Sequence, residues 1–155
     1  MLRKMIIISL LVVGALLLSG CVATGKVTGG GWVESSGGEG KANFGFCAAR
    51  TLLGDTSGKF TYRDKNAGVS MSGDITFAAH AGDGTYFLSG TYRSTNPKDP
   101  GSGAWEARVE DDGEPGIGGD SFAIEITSGP FFPYSNSGDL GGGNIQAHPG
   151  EDYCD

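Results

Sequence analysis

Apolar and polar residues alternate with a period of two through most of this chain, in short segments separated by glycine-rich breaks. In 41–50, Ala42, Phe44, Phe46 and Ala48 share one face, and Lys41, Asn43, Gly45 and Cys47 share the other. Val69, Met71, Gly73, Ile75 and Phe77 alternate with Ser70, Ser72, Asp74 and Thr76 in the most regular stretch. Phe60 and Tyr62, then Tyr86, Leu88, Gly90 and Tyr92, then Trp105, Ala107 and Val109, and finally Phe122, Ile124 and Ile126 repeat the pattern. A period of two marks strands with one buried face. Glycine-rich strands at 27–34 and 141–148 open and close the series. The expected fold is all-β: an antiparallel meander of about eight strands, forming a small barrel or a two-sheet sandwich. Pairing of the first and last strands through Gly29-Gly30-Gly31 and Gly141-Gly142-Gly143 would hide both sheet edges.

The amino terminus breaks this pattern. Arg3 and Lys4 precede fourteen apolar residues, 5–18, and the small pair Ser19-Gly20 precedes Cys21. This is the layout of a secretory signal peptide, and fourteen residues reach only about 21 Å as a helix, too short for a bilayer core. Leu18-Ser19-Gly20-Cys21 resembles the bacterial lipobox. The resemblance implies lipid transfer to the Cys21 thiol, cleavage before it and acylation of the new amino terminus. Several acyl chains anchor a protein stably. Val22, rather than Asp, after the cysteine points to an outer leaflet or outer membrane. The expected organisation is a signal peptide at 1–20, a lipidated cysteine and tether at 21–26, and a single β domain at 27–155.

Charge narrows the partners. The chain has a formal net charge of −7, and loss of Arg3 and Lys4 leaves 9 basic against 18 acidic residues, a net −9. Such a surface repels nucleic acid and anionic headgroups. With Cys21 lipidated, Cys47 and Cys154 remain in an oxidising compartment, and a disulfide is the simplest pairing. Cys47 belongs to the outer face of its strand, so a carboxy-terminal tail crossing that face would bring Cys154 to it.

Two groups of residues are candidate binding sites. Asp111, Asp112, Glu114 and Asp120 lie on one glycine-rich loop, and calcium takes six to eight oxygen ligands from loops of this kind. Their spacing does not match an EF-hand, and a solvated turn is the competing reading. Phe131, Phe132 and Tyr134, bracketed by Pro130 and Pro133, could form an exposed platform for stacking sugar rings. His80 and His148 have no partner at triad spacing, and no nucleophile elbow, HExxH or phosphate loop is present.

Four phrases in order carry a wider resemblance: Thr28-Gly29-Gly30-Gly31-Trp32; Lys41-Ala42-Asn43-Phe44-Gly45-Phe46; Asp112-Gly113-Glu114-Pro115-Gly116 with Asp120-Ser121-Phe122-Ala123-Ile124; and Gly141-Gly142-Gly143-Asn144-Ile145-Gln146. Together they resemble the post-COAP-1 module of secreted bacterial proteins, over about 26–148. That resemblance implies an extracytoplasmic β domain and supplies no catalytic residues. The chain departs from it in lacking an upstream choice-of-anchor domain, in its lipid anchor and in the Cys47 and Cys154 pair. The expected function is a non-enzymatic binding or structural module, lipid-anchored at the cell envelope, with an envelope protein or glycan as partner. The alternative is a calcium-assisted or carbohydrate-directed hydrolase, or a sugar-binding module, using the acidic loop and the aromatic turn.

Overall fold

The computed structural model describes residues 25–150 together with Tyr153 and Cys154. The signal peptide, Cys21 and residues 22–24 of the tether lie outside the described residues. Nine strands follow one another: β1 (Gly25–Glu34), β2 (Lys41–Arg50), β3 (Thr56–Asp64), β4 (Val69–Gly82), β5 (Thr85–Ser94), β6 (Ser102–Glu110), β7 (Ser121–Ile126), β8 (Ser135–Asp139) and β9 (Gly142–Pro149). All pairings are antiparallel, in a single sheet of order β8-β7-β6-β5-β4-β3-β2-β1-β9. The fold is therefore an all-β meander curled into a half-barrel, rather than a two-sheet sandwich.

The curl comes from the apolar faces closing on one another. Phe44 on β2 stacks on Phe122 of β7 with ring centroids 4.1 Å apart, although the two strands lie far apart in the sheet. Phe60 on β3 stacks on Trp105 of β6 at the same distance. Val33, Ala42, Trp105, Val109 and Ile145 are completely buried between them. Each large aromatic side chain withdraws roughly 150–250 Å² from water, so these stacks dominate the core.

The first and last strands pair as expected, from Gly25↔Pro149 to Trp32↔Gly142. The two glycine triplets are offset in register and meet at Gly31↔Gly143. A Cβ on Gly31 would lie 2.2 Å from the Gly142 carbonyl oxygen, and one on Gly143 would lie 2.0 Å from that of Gly30. Only glycine lets these backbones approach so closely.

Two expectations are corrected. The meander of about eight strands is present with nine, the additional one being 135–139, which forms β8 although its sequence, Ser-Asn-Ser-Gly-Asp, has no apolar alternation. Asn136 is its inward residue. Hence β1 and β9 are not both hidden: the sheet edges are β8 and β9, which are successive in the chain. Phe77 was expected inside and is 52% exposed. A register shift between Ile75 and Phe77 advances β4 by one residue, so Ala78 takes the inner position opposite Leu88. A single inserted residue inverts every later side chain of a strand.

Candidate functional site

The seam between β8 and β9 is where the acidic loop lies. β8 pairs with β7, whereas β9 pairs with β1, so the outer edge of β9 has no partner strand. The loop between β6 and β7 supplies side chains in place of one. Asp120 Oδ2 accepts the Ile145 N–H at 2.6 Å, and Asp111 Oδ2 accepts the Ala147 N–H at 2.8 Å. Asn144 Nδ2 donates to Glu114 Oε1 at 2.7 Å. Asp120 is fully buried, and its second oxygen takes the Asp112 N–H at 3.0 Å. These are charge-assisted bonds to donors that would otherwise be orphaned.

The expectation that Asp111, Asp112, Glu114 and Asp120 converge on calcium is therefore corrected. Asp111 and Asp120 accept alternate N–H groups of β9, those of Ala147 and Ile145, while Asp112 is exposed. Among the described residues no group of three or more His, Cys, Asp or Glu side chains is placed to hold a metal ion.

The aromatic turn is corrected as well. Phe131 is buried, stacks on Tyr92 at 5.7 Å and donates its N–H to the Tyr92 hydroxyl at 3.3 Å. Tyr134 is half-buried and bonded inward. Phe132 alone of the three is well exposed. A platform of three rings does not form.

Tyr134 instead belongs to a buried relay. The Asn136 amide donates to the Tyr62 hydroxyl at 3.0 Å, and the Tyr62 and Tyr134 hydroxyls lie 2.7 Å apart. Tyr134 donates to Asp64 Oδ2 at 2.8 Å. With that proton committed, the Tyr62 hydroxyl must donate to Tyr134, so every donor in the chain points toward one carboxylate. Asp64 also accepts from the Ser35 hydroxyl at 2.6 Å and from the Asn66 and Ala67 amides. Burial alone would raise the Asp64 pKa; the bonds from Ser35, Tyr134, Ala67 and Asn66 outweigh it and hold the carboxyl below its ordinary value. Burial pushes the Tyr62 and Tyr134 hydroxyls up, so both remain proton donors.

Cys47 and Cys154 are joined by a disulfide spanning 107 residues. The tail reaches Cys47 across the outer face, with the Lys26 ammonium 5.6 Å from the Tyr153 ring centroid. His148 Nε2 lies 2.9 Å from the Thr28 hydroxyl, and His80 stacks on Tyr86.

The surface feature that sequence reasoning missed is a groove of about 510 Å³ on the outer face of β6, β7 and β8. Ala123, Ser135 and Ser137 are small and leave it open between Phe87 at one end and Ser36 at the other. Glu106 and Glu125 are directly opposed across β6 and β7 and both line it. Arg108 also lines it, but its guanidinium is paired with Glu110. No linear motif marks this groove, because it is assembled by strand register.

Compared with known proteins, the chain matches no protein-family model, no curated protein and no solved structure.

Proposed function

We propose that this chain is a lipid-anchored module of the bacterial cell envelope that binds or scaffolds and does not catalyse. The observation that carries the reading is the commitment of its inward carboxylates. Asp64, Asp111 and Asp120 each accept hydrogen bonds that hold strands and turns together. A general acid or base must instead present its carboxyl to a substrate in a cleft. This weighs against a hydrolase that uses the acidic loop.

The location rests on Leu18-Ser19-Gly20-Cys21 and on the oxidised Cys47–Cys154 pair, which suits an extracytoplasmic compartment. β1 begins at Gly25, four residues beyond Cys21, so the domain would sit within about 14 Å of its anchor. Where two membranes are present, Val22 favours the outer one. Cys21→Ser should abolish palmitate labelling and move the protein from the membrane fraction to the soluble one. Unchanged fractionation of that variant would overturn the reading.

A further inference from the structure

We propose that the outer groove of β6, β7 and β8 takes an extended, lysine- or arginine-bearing segment of a partner protein. The inference rests on the binding-module reading and names the class of partner.

Three observations converge on it. First, the groove crosses the strands rather than following one. Adjacent strands are about 4.8 Å apart, so Phe87 on β5 and Ser137 on β8 stand roughly 14 Å from each other, the reach of four extended residues. Second, Glu106 and Glu125 face each other across the strand pair with no basic side chain bound to either among the described residues. Like charges directly opposite destabilise a sheet. The only cation lining the groove, Arg108, is already paired with Glu110, which also accepts from the Ser121 hydroxyl at 2.6 Å. Third, Phe87 is 46% exposed at the end of the groove, and Phe77 on the neighbouring strand is exposed beside it.

These features select the ligand's chemistry. A cation between Glu106 and Glu125 relieves their repulsion, whereas a neutral glycan leaves it in place. An aromatic ring beside two carboxylates suits the apolar stem of a lysine or the plane of a guanidinium. Ser135 and Ser137 supply hydroxyls for the partner's backbone or side-chain polar groups. The net charge of −9 left after loss of Arg3 and Lys4 (9 basic against 18 acidic residues) steers a basic segment toward the surface at low salt.

The test uses the mature chain as the cell makes it, purified in detergent whether or not Cys21 carries lipid, with fluorescein-labelled hexalysine as probe and anisotropy as readout. Binding should weaken by about tenfold or more in Glu106→Gln with Glu125→Gln. Glu39→Gln with Asp55→Asn removes the same charge from exposed turns and should change affinity by less than about twofold. Ala123→Phe fills the groove without altering charge and should also abolish the site-specific part. The proposal is overturned if wild type does not bind, if both charge pairs weaken binding equally, or if Ala123→Phe binds as wild type does. Displacement of the probe by chitohexaose would reassign the groove to a glycan. Each outcome is independent of whether Cys21→Ser leaves the membrane, so the anchor and the groove fail separately.

Discussion

The Asp120 carboxylate, on the loop before β7, accepts the N–H of Ile145 in the middle of β9 at 2.6 Å. Through this bond a side chain replaces the missing neighbour of an edge strand. Asp120→Ala leaves the Ile145 and Asp112 amides unpaired, and we expect a loss of about 3 kcal/mol, read from the urea midpoint. Amide exchange at Ile145 should accelerate before that of the β2 and β3 core.

Because Asp111 and Asp120 are filled by backbone donors, millimolar calcium should leave the melting temperature where a chelator leaves it. An upward shift with calcium that disappears in Asp111→Asn with Asp112→Asn would show that the loop rearranges to bind the ion.

Asp64 should impose an acid limb on stability. Its folded pKa lies below the unfolded value of 3.8, so its contribution is complete above that value and is lost as pH falls through the folded pKa. Asp64→Asn should cost about 2–4 kcal/mol at neutral pH and flatten the dependence below about pH 4. Urea melts of both proteins across that range measure it; parallel acid limbs would contradict the assignment.

Gly143 and Gly113 separate close approach from backbone conformation. Both have positive φ, 101° and 90°. A Cβ at Gly143 meets the Gly30 carbonyl oxygen at 2.0 Å, whereas one at Gly113 meets nothing within 4 Å. Gly113→Ala should cost about 1–2 kcal/mol from conformation alone. Gly143→Ala should cost at least twice as much, since β1 and β9 must separate. Equal midpoints for the two variants would remove the steric argument.

Cys154→Ser releases the tail and opens the 107-residue loop. The chain-entropy model sets an upper figure of about 4–5 kcal/mol for the loss. The double variant with Cys47→Ser should match the single one, because the two changes delete one bond.

Period two made most of this fold legible. Ala42, Phe44, Phe46 and Ala48 are inside, and Cys47 on the opposite face meets Cys154. Phe77 was misplaced because a bulge changes phase without a residue type that marks it. β8 was missed because its inward position holds Asn136, whose amide is satisfied by Tyr62 and by the Glu34 carbonyl. The acidic loop was visible as charge, but its partners are backbone amides 25 and 36 residues away, which no local spacing encodes. Glu106 and Glu125 lie on separate strands, and only register brings them together.

The disulfide also creates a mechanical shortcut. Tension applied between Gly25 and Cys154 passes from β1 to Cys47 and straight into the tail, bypassing the 107-residue span from Cys47 to Cys154. Only the segment 25–47 can lengthen under such a load. β3 to β9 lie outside the covalent line of force, so the outer groove on β6, β7 and β8 carries no load directly, whereas β9 loses its only partner strand once β1 is drawn out.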